Sequence, residues 1–228
     1  MTVDVPPRDC SRCARLVEFR QANRLSIPGG HNAPVPSFGP LDAELLIVGL
    51  APGLHGANTT GRPFTGDWAG DLLYATLLKF GLAEGHYGES ADDGLVLRNC
   101  RITNAVRCVP PENKPTPAEQ ASCRPFLASE LSGMPRLRRV LALGAVAHGA
   151  VLAARGVRKS AFPFGHGAIH PLPDGLVVTD SYHCSRYNTN TGRLTVAMFE
   201  AVFAGLCSAL QRIESRQCQT TIKKKRRK

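Results

Sequence analysis

No apolar run in this 228-residue sequence approaches the ~18 residues that a membrane-spanning helix needs. The opening residues, MTVDVPPRDCSRCARL, lack the apolar core of a secretory signal. Together these absences set a membrane protein aside and make a cytoplasmic location the expectation. Internal repeats and interior low-complexity segments are missing as well, which leaves one sizeable core with appendages. The one glycine-rich loop, GLAPGLHGANTTGRPFTGD (Gly49 to Asp67), fits neither a phosphate-binding G-K-[ST] loop nor G-x-G-x-x-G. With no phosphate-loop lysine and no metal-binding carboxylate spacing, a nucleotide-dependent phosphotransferase is disfavoured. A second short cysteine pair is also absent: Cys10 and Cys13 form C-x2-C, but Cys108 and Cys123 are separated by fourteen residues. A structural zinc site prefers two short pairs.

What is present is ordinary in composition, with 43% hydrophobic and 20% charged residues. The net charge is +10, and the terminal KKKRRK supplies six of those charges. That run reads either as a solvated end or as a tether to polyanions, gaining affinity by counterion release. Four near-continuous apolar runs, at 44–50, 101–106, 139–144 and 176–182, read as strands buried on both faces. Helical patterns lie between them: Leu73, Leu77 and Phe80 recur at helical spacing, and Thr116–Pro117–Ala118–Glu119 is a capping box with proline at the first helical position. Alternating strands and helices predict a parallel sheet covered on both faces, with ligands beyond the carboxyl ends of the strands. The expected division is an arm at 1–40, an α/β/α domain at 41–214 and a basic, disordered tail at 215–228.

The segments GLAPGLHGANTTGRPFTGD, RITNAVRCVPPENKPTPAE and SYHCSRYNTNTGRLT together resemble the uracil-DNA glycosylase superfamily, and within it family 5, the B type with an iron–sulfur cluster. The resemblance implies a three-layer α/β/α sandwich around a four-stranded parallel sheet, and cleavage of the glycosidic bond of a damaged base in DNA. Most of the superfamily carries Asp or Asn in the first motif; this chain has Ala51, as family 5 does, and the water-handling carboxylate is then Asp67. The resemblance further implies a 4Fe–4S cluster on Cys10, Cys13, Cys108 and Cys123, in a structural role. The expected partner is DNA containing uracil or other deaminated bases, hypoxanthine and xanthine among them, met by a monomer associated with the nucleoid in a bacterium. With no lysine in the pocket motifs to form a Schiff base, the enzyme is expected to be monofunctional.

The chemistry asks for such parts independently. A base inside a duplex must be turned out into a pocket. Ala51, Gly53, His55, Asn58, Phe64 and Asn104 are the candidate substrate contacts, with Phe64 as a stacking face and Asn104 able to donate and accept at an imide edge. His183 is placed to hydrogen-bond the base oxygen as charge develops. Arg62 is a candidate DNA contact, as are Ser185, Arg186, Tyr187, Asn188 and Arg193 in the loop that resembles the superfamily's second motif, a resemblance that implies Tyr187 as the wedge. Each has a plainer alternative: Asp67 as the cap of the helix that follows, Phe64 as core, Asn104 as a strand terminator, the arginines as surface charge. Cys184, where many relatives have proline, raises a Cys–His pair with His183, disfavoured because adjacent residues point apart. The rival for the whole chain is a non-catalytic iron–sulfur DNA-binding module that kept the pocket.

Overall fold

A computed structural model describes residues 3–225, of which 213–225 are described by backbone alone. The four expected strands are present as β1 (Leu45–Gly49), β4 (Cys100–Asn104), β5 (Arg139–Leu143) and β7 (Val177–Ser181). They are parallel, in the order β4-β1-β5-β7. A fifth strand, β6 (Ile169–Pro171), adds to β7 antiparallel at the edge, so the sheet has five strands where four were expected. Three residues with a proline make too short a pattern to stand out, and proline is tolerated at a sheet edge. A two-stranded ribbon, β2 (Ala83–Glu84) and β3 (Val96–Leu97), stands apart.

Side chains along each strand alternate between the two faces. Leu45, Ile47, Leu141 and Leu143 meet Leu73 and Leu77 of α3 (Trp68–Lys79) and Phe199 and Phe203 of α7 (Val196–Lys225). On the other face Leu46, Val48, Val140 and Ala142 meet α4 (Pro117–Gly133) and α5 (Ala145–Ala154) through Leu127, Leu131, Val151 and Leu152. The capping box of α4 forms as expected, with Thr116 accepting from the Glu119 N–H and Glu119 from that of Thr116. His148 of α5 is buried, its ring nitrogens 2.8 Å from Asp180 Oδ1 and from the Phe162 carbonyl; His170 Nε2 lies 3.0 Å from Asp180 Oδ2. This network seats β6 and its approach.

After α1 (Ala14–Ser26), the N-terminal segment runs along the domain. Phe38 pairs with Ile102, the Val35 N–H donates to the Arg107 carbonyl, and those of His31 and Asn32 donate to Thr59 and Asn58. The expected tail starts inside α7, whose backbone stays helical to Lys225; residues 226–228 of the basic run lie outside the described residues. Among the described residues no helix is long and apolar enough to cross a membrane.

Candidate active site

The carboxyl ends of the four parallel strands surround a cavity of about 550 Å³. Ala51, Gly53, Phe64, Asp67, Asn104 and His183 line it, and Ser185, Arg186 and Tyr187 stand at its lip. Residues 132 positions apart in sequence thus share one wall.

Asp67 occupies the N-cap position of α3, but its side chain makes no capping bond. Its carboxylate turns back into the glycine loop, 3.4 Å from the N–H of Ala57, with Gly53 also donating. The loop must be bare to receive it: a Cβ on Gly53 or Gly56 would overlap the carboxylate. Burial raises the pKa of Asp67 above its ordinary value, against the opposing pull of those N–H groups. Between the capping and the pocket roles open for Asp67, this geometry favours the pocket.

Phe64 sits in the left-handed region (φ 58°), a strained setting for a non-glycine residue. Its ring stacks with His183 at 5.9 Å between centroids and is almost wholly buried. Gly49 leaves room for both Phe64 and Asn104, since a Cβ there would overlap the two side chains. Asn104 is buried beside the cavity, and its Oδ1 has no partner. A buried amide oxygen left open costs free energy unless a ligand meets it.

His183 has its carbonyl held by Asn188 Nδ2 at 2.9 Å, and burial pushes its pKa down to about 4. The ring is therefore neutral at physiological pH and able to donate one hydrogen bond. Unfolded, it titrates near its ordinary 6.5. Because the folded value is the lower one, its contribution to stability is complete above 6.5 and is lost as pH falls from there toward 4. We expect melting temperature to decline over that window, and His183→Asn to flatten the decline; an identical slope in the variant would refute this. Cys184 points away, its thiol 3.4 Å from the Ala69 carbonyl and buried, with a pKa pushed up to about 12 by burial. That orientation leaves no Cys–His pair.

Several candidates lie elsewhere. Asn58, in α2 (Ala57–Thr60), is buried against the N-terminal segment outside the cavity lining, its Nδ2 donating to Asn32 Oδ1 at 2.8 Å. Arg62 is also no surface cation: it makes a two-pronged pair with Asp93 at 2.6 and 2.7 Å inside a cage of Phe38, Tyr74 and Tyr87. Asp93 comes from the loop between β2 and β3, which local sequence around Arg62 does not reveal. His55 is exposed and outside the cavity lining. Asn188, on α6 (Arg186–Asn190), holds His183, and Arg193 is exposed with its guanidinium 4.7 Å over Tyr182. Conversely, Trp68, Asn113 and Val146 line the cavity without having been expected there. For Asn113 the signal was the PPEN turn, where both Glu112 and Asn113 take positive φ.

Beside this site, the four expected cysteines converge. Cys10, Cys13, Cys108 and Cys123 line one small cavity with Leu16 and Phe126, between α1, the segment after β4, and α4. Arg20 is buried there, with an Nη 3.8 Å from Cys108 Sγ, another donating to the Cys10 carbonyl, and its Nε without a partner. A buried guanidinium needs a countercharge, and no carboxylate lies against it among the described salt bridges. Ala51 packs against the apolar cluster of Leu16, Val106, Cys123 and Phe126 that adjoins these cysteines.

A model of the family described as the Uracil DNA glycosylase superfamily matches residues 36–207. The chain belongs to that superfamily. It is 47% identical over 199 residues to a Type-5 uracil-DNA glycosylase of Thermus thermophilus, covering 83% of this chain and 89% of the relative. To a Type-5 enzyme of Pyrobaculum aerophilum it is 43% identical over 192 residues, covering 82% and 83%. A Type-4 uracil-DNA glycosylase of the same organism is 34% identical over 125 residues, 54% of this chain and 56% of the relative. Within the superfamily, then, the more extensive likeness is to Type-5 enzymes.

Proposed function

We propose that this protein is a monofunctional uracil-DNA glycosylase that opens base excision repair, and that its pocket also accepts hypoxanthine and xanthine. The observation that carries the reading is the Asp67 carboxylate, held in a glycine cradle instead of capping its own helix, on the same cavity as Phe64, Asn104 and His183. In the proposed reaction the flipped base lies against Phe64, with its imide edge toward Asn104. The C1′–N bond breaks, its electron pair leaves with the base, and the N–H of neutral His183 meets the negative charge on the base oxygen. Water oriented by Asp67 adds to C1′ and passes its proton to the Asp67 carboxylate, whose negative charge has until then balanced the cationic sugar. One preorganised donor such as His183 is typically worth ~2.7–4 kcal/mol of transition-state stabilisation. The wider base range is supported by the cavity, whose wall at Ala51 presents only a methyl group where a longer side chain would take up space.

The experiment is base release from duplexes containing uracil, hypoxanthine, xanthine or undamaged base. Release of uracil, with strand breakage only after alkali, is expected. Failure to release any damaged base would leave a DNA-binding module in its place.

The donor set at the four cysteines fits a 4Fe–4S cluster better than zinc. A tetrahedron of ~2.3 Å zinc–sulfur bonds brings its sulfurs within about 4 Å of one another. Among the described residues, the only three His, Cys, Asp or Glu ligand atoms within 4.8 Å of one another are those of His148, His170 and Asp180. No three of the four thiols lie within 4.8 Å of one another, and Arg20, with no carboxylate partner among the described salt bridges, suits an anionic cluster. Cys10, Cys13, Cys108 and Cys123 would hold such a cluster, and its iron–sulfur bonds would tie the segment before α1 to the segment after β4 and to α4. Protein purified anaerobically is expected to be brown and to contain iron, and Cys108→Ser to lose both colour and thermal stability. Colourless protein containing zinc would overturn the assignment.

A further inference from the structure

Trp68 is the single tryptophan of the chain. It directly follows Asp67, opens α3, lines the mouth of the cavity, and is 50% exposed. Its indole N–H donates to Thr189 Oγ1 at 3.0 Å, and the Arg186 guanidinium lies 5.3 Å over its ring. Both partners belong to α6, which also carries Tyr187, 71% exposed. Core packing does not account for a ring so open, and starting α3 requires no aromatic. The two contacts instead hold an aromatic surface and a cation together at the lip, one residue from the carboxylate.

Aromatic rings and guanidinium planes are what nucleobases stack on, because every base has a π-face. We propose that Trp68 and Arg186 form a stacking subsite for the nucleobase next to the extruded nucleotide, outside the cavity proper. The subsite rests on the cavity being the base-receiving one. It fixes the strand at the step beside the target, so the flanking base and the Asp67 carboxylate are registered by the same helix start. Recognition through the π-face follows stacking strength, so purine neighbours bind more tightly than pyrimidine neighbours.

The test uses the full chain and duplexes carrying 2′-fluoro-2′-deoxyuridine, which resists cleavage, flanked by purines or by pyrimidines. DNA anisotropy reports binding, and the lone tryptophan reports the subsite. Saturation is expected to change Trp68 emission. Trp68→Ala should weaken binding about ten-fold and erase the purine preference, the scale of one lost base stack, whereas Trp68→Phe should remain within about three-fold of wild type. Unchanged emission at saturation would overturn the proposal. So would Trp68→Phe and Thr189→Val each losing as much as Trp68→Ala, since the indole N–H would then matter as a latch on α6. If the alanine variant melts early, emission and the phenylalanine variant still decide. Base release separates the two readings: normal uracil release with a silent Trp68 sinks the subsite alone. Emission changes with no release from ordinary uracil duplexes would sink the glycosylase and leave the subsite standing.

Discussion

Asp67→Asn is expected to reduce uracil release by ~10²–10⁴, the range for loss of a positioned base, while DNA binding persists. Asn has the same shape and can lie in the Gly53–Gly56 cradle, accepting from the Ala57 N–H as Asp67 does. It cannot carry charge. Folding should not suffer, because burial already penalises the ionised carboxylate, as its raised pKa records. The folded state therefore holds the Asp67 proton more tightly than the unfolded chain, and its ionisation costs stability at neutral pH. The melting temperature of the variant should equal or exceed that of wild type. The acid limb of the wild-type pH–rate profile should also lie above the ordinary aspartate value of 3.8, and vanish in the variant. Single-turnover release at saturating enzyme measures all of this; a variant that releases uracil at the wild-type rate would remove Asp67 from the chemistry.

The largest effect on stability should come from Asp93→Ala, about 3–5 kcal/mol. Both members of the Arg62–Asp93 pair are buried, with only 4% of each side chain exposed. The Arg62 guanidinium holds the Asp93 carboxyl well below the usual carboxylate range. Removing Asp93 strands a buried cation that keeps only the Thr65 hydroxyl as a hydrogen-bond partner, within its aromatic cage. Arg62→Met should cost less, because Asp93 still accepts from the N–H groups of Gly88 and Leu95 and the cage stays filled. For a domain of this size, 3–5 kcal/mol corresponds to a fall in melting temperature of about 6–20 °C. Because the folded pKa of Asp93 is depressed, the stability it provides is present above 3.8 and lost as pH falls below that. A thermal melt of Asp93→Ala within 2 °C of wild type would refute the account.

The Arg62 result shows where local sequence misleads. An arginine in a glycine-rich loop next to a pocket motif reads as a phosphate contact, yet its partner is 31 residues away. Asn58 misleads in the same way, because its partner, Asn32, belongs to the segment that lies against the loop. Trp68 is not legible in the sequence, because nothing in FTGDWAG tells an exposed aromatic from a core one, and α6, which holds it in place, comes 118 residues later.

Sequence alone determined the parts whose physics is local or periodic. The four parallel strands follow from apolar runs long enough to be buried on both faces, and the start of α4 follows from the capping box at Thr116. Membership of the superfamily was legible in three long motifs. Tertiary structure decided what depends on which distant segments meet: a fifth, antiparallel strand too short to carry a pattern, a cavity lined by both Asp67 and His183, four cysteines gathered beside a buried arginine with no carboxylate partner among the described salt bridges, and an arginine withdrawn from the surface. It also decided the direction in which Asp67 points. An aspartate before a helix can bond to its own first turn or turn away from it, at little difference in backbone energy. Only the bare backbone of Gly53 and Gly56, brought up against it by the fold, tips that choice toward the pocket.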